Sequence, residues 1–232
     1  MRMKPHDEDD GYRVWLSRDE LDRLIDKMHD RGGTMHRLAG RLGADAGLRR
    51  DESASTRPID VQESHGDVFI RVWEDQAKME KYRETPIPAD LADQIQMIPE
   101  FRDDINPDDP VIPRVPKTLN RWVKRAGEAL YAETGDEAWL EVRHHDLRRS
   151  WGTGLLEQGV LPSVVMSWGG WDDWETFRRH YLGEFSPEAL ARERGKVTWL
   201  ATRPPEERPD ADSAVHPAVT PSGTNYSGSK PY

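Results

Sequence analysis

One short run of β-forming residues interrupts a chain whose other apolar residues recur at helical spacing. It reads Asp67-Val-Phe-Ile-Arg-Val-Trp-Glu74, and Thr85-Pro-Ile-Pro88 closes the stretch that contains it. Residues 56 to 88 are therefore predicted to form a small antiparallel sheet. Because helical patterns lie on both sides of this stretch, the sequence predicts a mainly α fold with a small antiparallel β-sheet (α+β).

The predicted helices have recognisable start and stop signals. Ser17 and Glu20 form a capping-box pattern at the head of an apolar series that ends at Met28. Gly32-Gly33 stops this helix, and Thr34 can cap a second one. Beyond Pro88, apolar residues mark helices over 91–98, 119–130, 145–157, 162–168 and 186–196, while 103–116 is an acidic, proline-rich loop.

The two ends of the chain differ from this central part. Residues 1–14 are predicted to be a charged, disordered lead-in, and residues 15–200 a single domain of about 185 residues. Beyond Arg203 the chain is rich in Pro, Ser, Thr, Gly and acidic residues, so 201–232 is predicted to be a disordered tail.

The charge balance sets a condition on any nucleic-acid partner. Over 232 residues, 43 acidic and 33 basic side chains leave a net charge of −10, which argues against nucleic acid unless basic residues gather locally. Only 8 of the 33 bases are lysines, and 24 Asp outnumber 19 Glu. This composition resembles that of proteins from salt-accumulating halophiles, archaeal or viral; the alternative is an acidic protein from a high-GC organism that favours arginine codons.

Other features exclude whole classes of protein. The absence of cysteine excludes disulfides, thiol catalysis and Cys-ligated zinc, and it is compatible with a reducing cytoplasm. No run reaches the roughly 18 to 20 apolar residues that span a bilayer, and the first residues contain no secretory apolar region. A cytoplasmic protein without a membrane segment is expected.

Four separated segments carry residues suited to a phosphodiester. Two contain arginines: Ala46-Gly-Leu-Arg-Arg-Asp-Glu52, in a glycine turn, and His145-Asp-Leu-Arg148, whose functional side chains lie at i and i+3 of one helical face. The others are Lys78-Met-Glu-Lys-Tyr-Arg-Glu-Thr-Pro-Ile-Pro88, on a predicted hairpin, and Gly169-Gly-Trp171, followed ten residues later by Tyr181.

Together these segments resemble the catalytic domain of the tyrosine recombinase (phage integrase) family. The family's T-G-L-R-x-x-E box is followed by Ala46 to Glu52, and its H-x-L-R-x-(S/T) box by His145 to Ser150. Its G-K-x-x-K-x-R-x-x-P-L hairpin places Lys78, Lys81, Arg83 and Pro86 in register, with Ala77 in place of the usual glycine. Gly169-Gly170-Trp171 corresponds to its L-G-(H/W) box. The resemblance covers residue 15 to about residue 195.

The resemblance implies a role for each matched residue. Arg49 and Arg148 would clamp the non-bridging phosphate oxygens, because guanidinium groups stay charged and donate directed hydrogen bonds. Tyr181 would attack phosphorus and form a 3′-phosphotyrosyl link, while Lys78 protonates the departing 5′-oxygen. His145 and Trp171 would contact the phosphate, and Glu52 would brace the site from behind. No metal or nucleotide cofactor is implied.

The chain departs from the family pattern at one point, since the spacing from Trp171 to the tyrosine is one residue longer than usual. A one-residue slip would bring His180 or Tyr181 to the active position, but only tyrosine can perform the chemistry. Tyr226 and Tyr232 lie in the predicted tail and are poor candidates.

Several further bases are candidates for contact with double-stranded DNA. They are Lys81 and Arg83 in the hairpin segment, and Lys117, Arg121, Lys124 and Arg125 in a stretch that contains four bases and no acid. Such a helix can lie along phosphates; the alternative, equally weighted, is a solvated face.

The resemblance also bears on domains, partners and rival functions. Most family members carry an N-terminal core-binding domain, and the arginine box at residue 46 leaves no room for one, so a minimal catalytic domain, or a fragment or remnant of a larger integrase, is expected. The helix within Ser186 to Trp199 is expected to dock onto a neighbouring copy, giving homo-oligomers up to a tetramer on DNA. The preferred function is site-specific recombination. The alternatives are a non-catalytic DNA-binding remnant and type IB topoisomerase-like nicking and resealing.

Overall fold

The structure, a computed structural model, describes residues 1–5, 11–64, 66–73, 82–102, 104–181 and 185–197. The described strands are Arg2–Pro5 (β1), Tyr12–Trp15 (β2), Val61–Ser64 (β3), Asp67–Val72 (β4) and Arg83–Pro86 (β5). The described helices are Arg18–Ala44 (α1), Arg50–Ser55 (α2), Ala89–Gln96 (α3), Ile98–Phe101 (α4), Pro116–Thr134 (α5), Ala138–Glu141 (α6), His144–Glu157 (α7), Pro162–Gly169 (α8), Trp174–Tyr181 (α9) and Pro187–Gly195 (α10). These elements confirm the predicted mainly α fold with small antiparallel sheets.

The chain divides into two compact units, Met1–Leu190 and Ala191–Tyr232. Of the second unit only 191–197 are described, and they continue α10 to its end at Gly195. The predicted tail, 201–232, lies outside the described residues.

The N-terminal residues form a hairpin, so the prediction that 1–14 are disordered is wrong for the described part of that stretch. Strands β1 and β2 pair antiparallel, with Arg2 opposite Trp15. Val14, Trp15 and Leu16 are buried, and α7 fixes their backbone: Val14 N donates to Asp146 Oδ1 (3.3 Å) and Leu16 N to Ser150 Oγ (2.9 Å). Burial of three adjacent apolar residues against α7 orders a segment that has little structural preference of its own.

Helix α1 confirms the predicted cap and the predicted break. Glu20 N donates to Ser17 Oγ (3.3 Å) while Ser17 N donates to Glu20 Oε2 (2.8 Å), which completes the capping box. The helical dihedrals are interrupted at Gly32 and Gly33, and Gly33 adopts φ +68°. Both halves bury an apolar face.

The predicted sheet is formed by β3, β4 and β5, all antiparallel. Ile70 of β4 lies opposite Val61 on one side and Thr85 on the other, and Val72 lies opposite Arg83. Thr85 Oγ1 donates to the carbonyl of Ala46 (2.9 Å), which fastens the sheet to the turn after α1. The sheet therefore brings β5 next to the first arginine box.

Helices α5 and α7 complete the framework of the site. Leu119, Val123 and Ala126 of α5 are buried in the core, as is Leu147 of α7. The backbone N–H of His144 donates to Asn120 Oδ1 (3.0 Å), so the start of α7 is held against the middle of α5. Within the described ranges, none of the helices has both the length and the apolar character needed to cross a bilayer.

Candidate active site

Arg49 stands immediately before the first turn of α2. The turn that precedes it requires Gly47, which adopts φ +63° and whose Cβ would lie 2.3 Å from the Trp151 ring. Arg49 N donates to Glu52 Oε2 (2.7 Å) and its Nη1 to Glu52 Oε1 (2.8 Å), while Nη2 reaches the carbonyl of Gly170 (3.1 Å). One short segment thus holds the arginine and the carboxylate that orients it.

Glu52 is buried among arginines. Arg83 grips it with both terminal nitrogens, Nη1 to Oε1 at 3.0 Å and Nη2 to Oε2 at 2.6 Å. Burial raises the pKa of Glu52, but the hydrogen bonds and charge of Arg83, with the charges of Arg148 and Arg49, outweigh burial and lower this pKa to about 2. Glu52 is therefore a carboxylate at any physiological pH.

Arg148 extends from the inward face of α7 and is fully buried. Its Nη1 donates to the carbonyl of Gly47, and its Nη2 to the carbonyl of Gly169 (2.6 Å). Its Cζ lies 4.1 Å from the centroid of the Trp171 ring, within the range of a cation–π contact. The second predicted clamp arginine therefore lies beside the first box and beneath the third.

At the carboxyl end of α8, three consecutive backbone carbonyls each accept a hydrogen bond from an arginine. Arg83 Nε donates to Trp168 (3.0 Å), Arg148 to Gly169 and Arg49 to Gly170. Gly170 ends α8 in the left-handed conformation at φ +68°. Because a helix carries partial negative charge at its carboxyl end, this end suits a group of cations.

Trp171 belongs to an aromatic cluster beside the arginines. Its ring lies 6.2 Å from Trp151 and 5.2 Å from Phe177, and Phe177 is fully buried. A Cβ on Gly169 would lie 1.8 Å from the Trp171 ring, so glycine is required there. A cavity of about 130 Å³, lined in part by Tyr82, Gly170 and Trp171, opens at this point.

The two neighbouring histidines have different surroundings. His145 is exposed in the first turn of α7, whereas His144 is buried. Burial lowers the pKa of His144 to about 4, and the charge of Arg50 acts in the same direction. His144 is thus a neutral packed residue, and the exposed His145 can meet a ligand.

Tyr181 is the last residue of α9, one helical turn after Phe177. Since Phe177 packs on Trp171, the buried part of α9 lies against the third box. Tyr226 and Tyr232 lie outside the described residues.

Two predicted bases of the hairpin segment, Lys78 and Lys81, lie outside the described residues. The two residues on either side of 74–81 are described: Trp73 and Tyr82 have ring centroids 5.5 Å apart, and Trp73 Nε1 donates to Asp60 Oδ1 (2.7 Å). Arg83 was predicted to bind DNA, and this assignment is corrected. Its side chain is 5% exposed, and both of its terminal nitrogens are paired with the buried carboxylate of Glu52. A phosphate would have to displace this charged partner, whereas the partners of Arg148 are neutral carbonyls.

The predicted basic stretch forms one side of α5. Lys117, Arg121, Lys124 and Arg125 are all exposed, whereas Trp122 is buried and stacks on His36 at 3.8 Å. Asn120, between them, holds the start of α7, which carries His145. The exposed face therefore lies close to the second box.

Sequence reasoning missed the inward direction of Arg83, although a signal was present. Arg83, Thr85 and Ile87 are buried while Glu84 between them is exposed, which is the period-two alternation of a strand with one buried face. Applied to β5, that alternation indicates a buried arginine, and a buried arginine needs partners for its charge and its donors, of which a carboxylate is the strongest.

The described site contains three positive side chains, Arg49, Arg83 and Arg148, and one negative, Glu52, which leaves two positive charges. Such a site favours an oxyanion, and a phosphodiester has the charge and the paired oxygens that guanidinium groups bind. Among the described residues, no group of three or more His, Asp or Glu side chains is placed to hold a metal ion.

Comparison with known proteins agrees with this geometry. Residues 14–186 match the model of the phage integrase family. The tyrosine recombinase XerA of Thermococcus kodakarensis is 32% identical over 164 residues, which cover 68% of this chain and 54% of that protein. The chain thus spans about half the length of this relative.

Solved structures share the fold. The crystal structure of XerA recombinase superposes with a TM-score of 0.60 at 19% identity, covering 79% of this chain and 64% of the other. The XerH site-specific recombinase bound to palindromic difH substrate gives 0.58 at 18% identity, covering 81% and 53%. The catalytic domain of bacteriophage HP1 integrase gives 0.52 at 18% identity, covering 82% of this chain and 99% of that domain.

Proposed function

Because the chain belongs to the phage integrase family, we propose that it is a site-specific DNA recombinase that cuts and rejoins strands through a 3′-phosphotyrosyl intermediate on Tyr181. The observation that carries the proposal is the convergence of Arg49 and Arg148, from two distant segments, on one end of α8. Two guanidiniums fixed side by side are suited to the extra negative charge of a pentavalent phosphorane.

The chemistry follows from the residue types. The Tyr181 oxygen forms a bond to phosphorus while the bond from phosphorus to the 5′-oxygen breaks. The phenol proton leaves to a base, for which His145 is the exposed candidate, and Lys78 gives a proton to the 5′-oxygen. In rejoining, a 5′-hydroxyl attacks the phosphotyrosyl phosphorus, and tyrosine is released as the proton movements reverse. The steps conserve bond energy and need no nucleotide cofactor.

The proposed DNA surface is the exposed face of α5. Lys117, Lys124 and Arg125 have no carboxylate within ion-pair distance among the described residues, although the chain as a whole is acidic. Basic side chains left unpaired beside a positive site are suited to flanking phosphates. The structures of XerH and of the Tn1549 transposon integrase contain DNA, which supports a DNA partner by similarity.

We extend the proposal to self-association on DNA through Ser186 to Trp199. Leu190 of α10 is 58% exposed, so its side chain is accessible to a neighbouring copy. Sizing the DNA complex with and without residues 186–232, and with the point variant Leu190→Asp, tests this step. Both changes are expected to leave a single copy on DNA, and oligomers that persist in both would contradict it.

The function is tested by trapping the covalent adduct. The substrates are DNA duplexes of randomised sequence that carry a nick a few nucleotides from the point of cleavage. Cleavage releases the short fragment that carries the 5′-hydroxyl. Because this fragment diffuses away, the strand cannot be rejoined and the adduct accumulates. The duplexes are incubated with the full chain in molar KCl, because the Asp-rich, Lys-poor composition supports a cytoplasm rich in salt. Adducts that survive denaturation are recovered and sequenced, which also identifies the DNA site.

The controls separate the candidate functions. Tyr181→Phe is expected to abolish the adduct, whereas Tyr131→Phe, on α5, is expected to retain it. DNA binding without an adduct favours a non-catalytic DNA-binding protein. An adduct that relaxes supercoils but never exchanges strands favours topoisomerase-like nicking and resealing.

A further inference from the structure

Arg83 occupies an inward position at the start of β5. It lies opposite Val72 of β4, and both are buried. Strand alternation sends Glu84 outward and Arg83 towards α2 and α8. The sheet therefore sets the place and direction of the Arg83 backbone, and the side chain enters the space between α2 and α8.

The side-chain hydrogen bonds of Arg83 go to groups that hold the phosphate clamp. Its two terminal nitrogens grip Glu52 (3.0 and 2.6 Å), and its Nε reaches the carbonyl of Trp168 (3.0 Å). Glu52 in turn accepts from the backbone and the side chain of Arg49. The carbonyl that follows Trp168, that of Gly169, accepts from Arg148.

The guanidinium of Arg83 and the carboxylate of Glu52 have little space in which to move. A Cβ on Gly170 would lie 2.9 Å from Arg83 Cδ and 3.3 Å from its Nε, so the backbone of α8 closes over the guanidinium. The side chain of Glu52 is 1% exposed, so water does not substitute for a lost partner there. The planar fork of arginine satisfies both carboxylate oxygens at once, which lysine cannot do.

We propose that Arg83 is a positioning residue for the phosphate clamp: it fixes Glu52 and the carboxyl end of α8, and thereby sets the places of Arg49 and Arg148. The inference rests on the proposed function and assigns to Arg83 a role without DNA contact. Loss of Arg83 should therefore slow strand cleavage mainly when the scissile phosphate carries its negative charge.

A pair of substrates tests this role. Both carry the DNA site selected by wild type; in one, a methyl group replaces a non-bridging oxygen of the scissile phosphate and removes its negative charge. Release of the short strand is measured for wild type, Arg83→Met, Arg83→Lys and Arg49→Met. The control is Arg71→Met, on the neighbouring strand, which neutralises a partly exposed arginine paired with Glu84 at 3.5 Å.

On the normal phosphate, Arg83→Met is expected to lose about a hundredfold in rate, the scale on which a misplaced catalytic group acts, with Arg83→Lys in between. On the neutral substrate this loss should shrink to tenfold or less, as for Arg49→Met. Arg71→Met should match wild type on both substrates. Equal losses of Arg83→Met on both substrates, or no loss on either, would overturn the proposal.

Two further measurements keep the outcome decisive. If Arg83→Met fails to fold, Arg83→Lys, which keeps a positive charge beside Glu52, decides the test: its loss must shrink on the neutral substrate, and equal losses on both substrates would overturn the proposal. If wild type cleaves neither substrate, the proposed function fails. Binding of inorganic phosphate, followed by phosphorus NMR, then decides: Arg83→Met must weaken it as Arg49→Met does, and unchanged binding would refute the positioning role.

Discussion

Trp171 covers Arg148: the guanidinium carbon lies 4.1 Å from the centroid of the indole ring, and no part of Arg148 is exposed. A phosphate that reaches Arg148 must therefore displace the ring or one of the carbonyls of Gly47 and Gly169. Binding of DNA and rearrangement at Trp171 are thus expected to be coupled.

Removal of the Trp171 ring should destabilise the protein. Trp171→Ala is expected to lower the free energy of unfolding by about 2–4 kcal/mol, because it leaves a cavity between Trp151, Phe177 and Arg148. Trp171→Phe, which keeps a ring, should cost about 1 kcal/mol. Urea denaturation measures both. Trp174→Ala is the matched control, since Trp174 is 46% exposed. An equal loss of unfolding free energy in this variant would argue against a structural role for the contact between Trp171 and Arg148.

Glu52 should make folding sensitive to acid. Its pKa is lowered in the folded state from the usual 4.5 to about 2, so its stabilising contribution is complete above pH 4.5 and is lost as pH falls towards 2. The contribution is about 3 kcal/mol, by the linkage between a pKa shift and stability. Glu52→Gln should be less stable at pH 7 and should show a shallower loss between pH 4.5 and 2. Denaturation at stepped pH values checks this, and parallel curves for the two proteins would refute it.

Gly170→Ala should lower the stability of the protein by more than backbone strain alone explains. Gly170 and Gly135 each end a helix, with φ +68° and +72°, so alanine at either costs about 1 kcal/mol in backbone strain. Only at Gly170 does the new Cβ meet a neighbour, Arg83 Cδ at 2.9 Å, whereas at Gly135 nothing lies within 4 Å.

We therefore expect Gly170→Ala to lose at least 1 kcal/mol more than Gly135→Ala in denaturation, an increment typical of overpacking. It should also lose most strand cleavage, while Gly135→Ala keeps it. Equal stability and equal strand cleavage in the two variants would mean that Arg83 can move away from the new Cβ without affecting the site.

The α5 face should determine the salt dependence of DNA binding. Neutralising one residue that contacts a phosphate lowers the slope of log affinity against log salt by about 0.9. Arg121→Gln and Lys124→Gln are each expected to show this change in titrations with labelled duplex. Arg102→Gln, which removes a base already paired with Asp104 at 2.6 Å, should leave the slope unchanged. Unchanged slopes for all three would identify the α5 face as merely solvated.

Local patterns in the sequence were enough to predict most of the fold. The Ser17 capping box, the break at Gly32-Gly33 and the small sheet each depend on residues close together in the chain. The order of the arginine boxes likewise predicts Arg49 and Arg148 as a pair, and the structure brings both to one end of α8.

Features that depend on distant partners were not predictable in the same way. The strand pair of β1 and β2 is ordered by Asp146 and Ser150, which lie more than 130 positions after the residues they bind. Arg83 looked like a surface base because its partner, Glu52, lies 31 positions earlier. The burial of Arg148 beneath Trp171 depends on how α7 and α8 pack, for which the sequence offers no local signal. Lys78 and Lys81, which lie outside the described residues, stay predictions.

The most direct measurement is to find which residue carries the DNA. The trapped adduct is treated with nuclease and then trypsin, and the peptide with the added nucleotide mass is identified by mass spectrometry. Cleavage after Arg179 and Arg192 gives a peptide of residues 180–192 with one tyrosine, Tyr181. The proposed function predicts the added mass on this peptide and on Tyr181 alone. A modified peptide that contains Tyr226 or Tyr232, or DNA attached to another type of residue, would contradict it.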